Sequence, residues 1–207
     1  MKPVKLNKKE LIMMSDIMSD AFLFHNNWVD RIPNDKKRKK LMNNLFVIMF
    51  GVINQYGYVF EVTQNGNKVG YITYMDPKDK EQISFKRILK TKTIKYVLRF
   101  LFHLTPKILK NMLDYMKVYN SHVNQHDKAI HLYSTGILKE YRGLGIMGKA
   151  LRESFEYFYN NGFNKISLET SDKDNIAIYQ KLGFEITEVI SKKNQTIYFL
   201  ETERVGK

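Results

Sequence analysis

The sequence predicts a mixed α/β fold built around one sheet. Three observations carry this reading. Short β-branched and aromatic runs alternate with amphipathic helical runs along the chain, no internal repeat or low-complexity linker divides it, and 207 residues suit one domain with an elaborate insertion better than two full domains. Apolar residues make up 43% and charged residues 27%, so a core can be buried and neither a disordered nor a fibrous chain fits.

Pro3 to Leu6 reads as a short extended start. From Lys8 to Phe24, Leu11, Ile12, Met14, Ile17, Met18, Ala21 and Phe22 recur at helical spacing. Asn26 to Pro33 reads as a loop, and Asp35 precedes a second helical run through Leu41, Leu45, Ile48, Met49 and Ile53 that ends near Gly57. Tyr58–Thr63 and Lys68–Met75 are two strands joined by Gln64-Asn65-Gly66-Asn67, an Asn-Gly hairpin turn. Residues 76–127 turn helical again, with Ile94, Val97, Leu98, Leu101 and Phe102, then a run opened by Pro106; this is an insertion. A strand from Ile130 to Leu138 follows, then a helix from Ile146 to Asn160, a strand from Lys165 to Thr170 and a short helix from Asp174 to Leu182. Two strands, Phe184–Ile190 and Thr196–Glu201, finish the pattern.

Charge and composition bound the function. Lys and Arg number 34 against 21 Asp and Glu, a net +13 that attracts polyanions of any kind. Between Lys86 and Lys128, ten basic residues face only Asp114 and Asp127, and Lys36 to Lys40 is a second basic run; both read as solvated faces. The absence of Cys excludes a disulfide framework, a thiolate nucleophile and Cys-type metal sites, and suits a reducing compartment. The first residues lack a signal-like apolar stretch, so a cytoplasmic protein with no stable membrane insertion is expected.

Arg142-Gly143-Leu144-Gly145-Ile146-Met147-Gly148 lies between a strand and a helix. Glycines let backbone approach a ligand closely, and the unpaired N–H groups that open a helix favour an anion such as a pyrophosphate. Arg142 adds a charge-assisted contact. Gly143 to Gly148 also spells the dinucleotide-binding pattern, with Glu169 beyond it on a strand end. Against that reading, the polar Lys139-Glu140-Tyr141-Arg142 separates strand from glycine, and only 59 residues follow Gly148 to complete a doubly wound sheet. Asn175 and Tyr179, four apart, share one face of the short helix. A phenol with a reference pKa of about 10 is protonated at neutral pH and suits a general acid.

With these residues the chain resembles the GCN5-related N-acetyltransferase (GNAT) family: Ile137-x-x-Glu140-Tyr141-Arg142-Gly143-x-Gly145, then Asn175-x-x-x-Tyr179-x-x-x-Gly183-Phe184. Leu168-Glu169-Thr170-Ser171 leading into Asn175, with the insertion, is similar to the puromycin N-acetyltransferase-like branch. The resemblance implies a mostly antiparallel central sheet flanked by helices, with the helical insertion before the fourth strand and a single domain over 1–207. It implies that Arg142 and the amides of Gly143, Leu144, Gly145, Ile146, Met147 and Gly148 bind the acetyl-CoA pyrophosphate. Gly136, Ile137 and Leu138 would lend backbone to the pantetheine arm, with one amide polarising the thioester carbonyl. Asn175 would touch that arm and Tyr179 would protonate the sulfur. The family usually has Gly or Ala where Met147 stands, so a larger side chain lies near the phosphates.

The implied activity is acetyl-CoA-dependent N-acetylation of a small-molecule primary amine by direct attack. The alternatives are a protein or peptide acceptor, or a CoA-binding module without turnover. Glu169 is the candidate base, although strand alternation leaves its face open, and His131 reads as either a base or a packed histidine. His122 and His126 are four apart with Asp127 beside them, but no acidic helix motif or third ligand accompanies them, so no metal is expected. The basic, aromatic-bearing helices from Thr93 to Tyr119 have the composition of a membrane or nucleic-acid face; the expectation here is that they wall the acceptor site, with no nucleic-acid partner and a bias against polycationic acceptors. The oligomeric state is not legible.

Overall fold

The structure is a computed structural model that describes residues 1–24, 26–29, 32–76, 79, 83–110, 112–114, 129–192 and 195–204. Helices α1 (Lys8–Phe22), α2 (Asn26–Val29) and α3 (Asp35–Tyr56) precede the hairpin β1 (Tyr58–Gln64) and β2 (Asn67–Met75). Next come α4 (Phe85–Lys90), α5 (Ile94–His103) and helical residues 106–110 and 112–114. Then follow β3 (Ala129–Ile137), a 3-10 turn at Lys139–Tyr141, α6 (Ile146–Asn160), β4 (Lys165–Thr170), α7 (Lys173–Gln180), β5 (Glu185–Lys192) and β6 (Gln195–Glu203).

The strand order is β1-β2-β3-β4-β6-β5, antiparallel throughout except for the parallel pair β3–β4. The mixed, mostly antiparallel sheet predicted from sequence is thus the one observed. Val4 forms an isolated antiparallel bridge to Val59, so the strand that follows the insertion is fourth only if that bridged start is counted as the first. Asn26 to Val29, expected as loop, forms one helical turn.

Local chemistry explains the element starts. Asn7 Oδ1 accepts from the amides of Lys9 and Glu10 while Glu10 Oε2 accepts the Asn7 amide at 2.9 Å, a capping box that opens α1. Asn65 and Gly66 both take positive φ, 50° and 78°, as the two-residue hairpin turn requires. The Lys36–Lys40 run is not uniformly solvated, because helical periodicity turns Arg38 inward, where it is 1% exposed. Its guanidinium donates to the carbonyls of Leu23, Ile32 and Pro33 and pairs with Asp35 at 2.6 Å, spending its donors on backbone that the bend between α1 and α3 leaves unpaired.

One face of the sheet carries α6, with Phe60, Tyr74, Leu132, Phe155, Phe158 and Leu168 among its core. The other carries α1 and α3, packing Met14, Met18, Phe46, Phe50 and Ile53 against Val59, Tyr71 and Met75. A third cluster joins α3 to the insertion through Leu41, Val47, Ile48, Tyr96, Phe100 and Ile108. The described insertion helices therefore lie on the outer side of α3 and do not wall the sheet. Positions 41 and 48 on one flank of a helix whose other flank meets the sheet bring this about.

The feature that positions the site is an irregularity in β3. Thr73 pairs with Ser134 but Tyr74 pairs with Leu132, leaving Tyr133 as a bulged extra residue. β3 pairs with β4 only from Ala129 to His131, against Lys165 to Ser167. Past the bulge the two strands part, while β4 stays paired to β6 as far as Thr170. A wedge opens between residues 133–137 and 168–170.

Burial raises the phenols of Tyr71 and Tyr179 to about 12 and those of Tyr74 and Tyr133 further still. In the unfolded chain a Tyr ionises near pH 10, so between the two values the unfolded state holds fewer protons than the folded one. Stability is accordingly full below about pH 10 and falls as pH climbs through about 12. In a titration followed at 295 nm these four phenols should ionise together with loss of the far-ultraviolet helical signal; their ionisation in a still-folded protein would contradict the packing described here.

Candidate functional site

The loop after β3 is built for its backbone. Gly143 and Gly145 take φ of 74° and 72°, and a Cβ at either would meet nothing within 4 Å, so conformation rather than crowding calls for glycine. Gly145 caps α6 without a side-chain hydrogen bond, and the first helical bond is Lys149 N–H to Gly145 O at 3.1 Å. The amides of Ile146, Met147 and Gly148 thus lack intrahelical acceptors and point out of the helix N-terminus. Arg142 is exposed and donates through Nε to Ile137 O at 3.3 Å, which lays it across the end of β3 beside the wedge. The Met147 sulfur accepts the Thr135 hydroxyl at 2.9 Å and packs with the core under α6, so its bulk lies against the sheet.

The three residues at the end of β3 have different backbone fates. The Leu138 amide donates to Val69 O at 2.9 Å, which puts the even-numbered residues of this stretch, Gly136 among them, into the hydrogen-bonded pairs with β2. Ile137 and Thr135 consequently aim their amides at the opposite edge, the one that borders the wedge. At Gly136 a Cβ would collide with Met18 Sδ and press on Ala21, so α1 crosses β3 here at glycine-only distance.

Across the wedge, Ile166 and Leu168 point into the α6 side of the sheet, so alternation sends Ser167 and Glu169 to the α1 and α3 side. This settles the face of Glu169. His131, opposite Ser167 in register, joins them: its Nε2 lies 2.7 Å from Glu169 Oε2 and its Nδ1 3.1 Å from Ser167 Oγ. The side chains of His131 and Glu169 are 6% and 12% exposed. The Tyr133 ring sits 6.4 Å from His131, its phenol raised by burial and by the Glu169 charge.

Tyr179 enters from the other face. α7 opens on Asp172, whose side chain accepts the Asp174 amide, and closes with Phe184 N–H donating to Tyr179 O. The half-buried Tyr179 ring packs edge-on to Phe184 at 5.8 Å. Burial, then the nearby Glu169 and Asp172 charges, push its phenol up to about 12. Asn175 is half-buried one turn earlier. The Glu169 charge thus bears on both Tyr133 and Tyr179, and the wedge is bracketed by a phenol on one face and a His–carboxylate pair on the other.

Sequence reasoning missed Tyr133 and Ser167. Ser167 shares parity with Glu169, a usable signal, whereas the Tyr133 bulge exists only through pairing. His122, His126 and Asp127 lie outside the described residues, and among the described residues no group of three or more His, Cys, Asp or Glu is placed to hold a metal ion.

Residues 108–184 match the model of the acetyltransferase (GNAT) family, a segment running from the insertion through β3, the glycine loop, α6, β4 and α7. The chain is similar in fold to the histone acetyltransferase HPA2 and related acetyltransferase of Corynebacterium glutamicum, at 15% identity and a TM-score of 0.62, with 100% of this chain and 99% of that one covered. An N-acetyltransferase from Staphylococcus aureus matches at 14% identity and a TM-score of 0.53, covering 97% and 96%. The ribosomal-protein-S18-alanine N-acetyltransferase from Escherichia coli matches at 12% and 0.53, covering 97% and 91%. No curated protein sequence matches the chain. The family match, on a sheet shared with solved acetyltransferases, supports an acetyl-CoA-dependent acyltransferase. No helix among the described residues is long and apolar enough to cross a membrane.

Proposed function

We propose that the protein is an N-acetyltransferase that moves the acetyl group of acetyl-CoA to the primary amine of a small molecule by direct attack. The observation that carries this reading is the wedge, whose bare β3 edge runs into the uncapped N-terminus of α6. The diphosphate lies against the amides of Gly143 to Gly148 with Arg142 beside it, and the pantetheine arm follows the β3 edge near Asn175. The Ile137 amide is the donor best aimed at the thioester oxygen, because the Leu138 amide already serves Val69.

The incoming amine nitrogen bonds the thioester carbon and the C–S bond breaks. Glu169, alone or with His131, takes the proton the ammonium must lose, and Tyr179 supplies one to the departing sulfur. A phenol near 12 is wholly protonated at neutral pH. It is also a weaker acid than a thiol of about 8.5, so its help rests on the sulfur being dehydrated in the same wedge, which raises the thiolate's basicity. Proximity supplies much of the remainder.

A small acceptor fits the depth of the His131–Glu169 pair, which a free amine reaches more readily than one fixed on a folded surface. The run from Leu168 to Tyr179 supports a place beside the puromycin N-acetyltransferase-like branch. Titration calorimetry with acetyl-CoA, followed by an amine panel read by thiol release, tests the reading. Binding without release from any amine would leave a CoA-binding module, release only with peptides would move the acceptor class, and no heat at all would end the proposal. Arg142→Ala should weaken CoA about tenfold and leave fragments lacking the diphosphate nearly unchanged; equal losses would displace the phosphates from this loop.

A further inference from the structure

The helix α5 is apolar on two sides, and only one is accounted for. Tyr96 and Phe100 are buried against α3. On the opposite side Ile94, Leu98, Leu101 and Phe102 recur at i, i+4, i+7 and i+8, one continuous stripe. Leu98, Leu101 and Phe102 are 64%, 55% and 85% exposed among the described residues. Helix α4 repeats the pattern on one turn, with Phe85 and Leu89 exposed four residues apart.

The charge around this stripe is mostly positive. From residue 83 to residue 114 the chain carries eight Lys and Arg against Asp114, and of the eight Arg87 is paired with Asp79. Lys95 and Arg99 lie between the two apolar sides of α5, their cationic heads 4.9 Å and 5.7 Å from the Tyr96 ring centroid. Long stems along an apolar flank with charged heads at its rim are the arrangement of a helix lying in a lipid headgroup layer.

We propose that the insertion docks the protein on an anionic lipid surface, with the α5 stripe among the acyl chains' upper carbons and the surrounding cations on the headgroups. Charge complementarity selects this occupant. A second copy of the same face would oppose cation to cation, and a nucleic acid would satisfy the cations while leaving the Leu and Phe stripe in water. Because α3 stands between α5 and the sheet, the docked face leaves the wedge untouched, and the proposal is independent of the acetyl-transfer reading.

The test is co-sedimentation of the full chain with vesicles of phosphatidylcholine alone and of equal parts phosphatidylcholine and phosphatidylglycerol. Binding to the mixed vesicles, weak binding to the neutral ones, and a loss as salt is raised are expected. Leu98→Ser with Phe102→Ser, both at exposed positions, should cut the partition coefficient on the order of a hundredfold. Lys95→Gln with Arg99→Gln should cut it about thirtyfold at low salt. Circular dichroism and acetyl-CoA titration should be unchanged in both. The proposal is overturned if the wild-type chain stays in solution with the mixed vesicles, or if the serine variant sediments as well as the wild type. It is likewise overturned if those serines abolish only a monomer–dimer equilibrium seen by ultracentrifugation, or if single-stranded RNA binds while vesicles do not.

Discussion

Tyr179→Phe should lower acetyl transfer by about 10²- to 10⁴-fold, the range a positioned general acid contributes, and leave acetyl-CoA affinity within a few-fold of wild type. The reason for the split is local. The ring packs on Phe184 and the backbone carbonyl of Tyr179 closes α7, and both survive loss of the hydroxyl. The phenol oxygen is what the variant removes, so with Tyr179 as the proposed acid the loss should fall on the step in which the C–S bond breaks. Single-turnover and binding measurements separate the two. Unchanged turnover removes Tyr179 from the acid's role, and a matched loss of affinity makes it a packing residue.

Glu169→Gln should give the second large effect, about 10²- to 10³-fold in turnover. The amide keeps the shape beside His131 Nε2 but accepts no proton. The loss should shrink as pH is raised toward the pKa of the acceptor, because the solution then delivers the amine already neutral. A deficit that stays constant with pH would make Glu169 a positioning residue instead. The substitution also takes away a negative charge that helps hold the Tyr179 phenol high, so that phenol should ionise at lower pH in the variant. The double variant with Tyr179→Phe should therefore cost less than the two single losses combined, since the residues act on one another.

What the sequence revealed and what it withheld divide along physical lines. Features written in consecutive residues were legible: the hairpin through Asn65-Gly66, the amphipathic α1 and α6, and the glycine loop after Tyr141. Each depends on periodicity or on backbone that few residues adopt. Features made by pairing between distant segments were not. The bulge at Tyr133 is a mismatch of one residue between β2 and β3, and no pattern within β3 announces it. The face of Glu169 followed once Leu168 was seen in the core. Arg38 sits in a run of like charges whose neighbours are solvated, and its burial depends on carbonyls contributed by residues 23, 32 and 33. The insertion's basic helices read as surface, and α4 and α5 among the described residues do lie there, but on the outer side of α3 rather than over the sheet.

The parting of β3 from β4 leaves the two halves of the sheet stitched along a seam of three residue pairs, against six in the neighbouring ladder of β4 with β6. On the proposed reading, a pantetheine arm threaded along the open part of that seam would take up hydrogen bonds that a seventh strand would otherwise make. Substrate would then be a piece of the architecture as well as its cargo, and the protein's mechanical coherence would rise and fall with its occupancy.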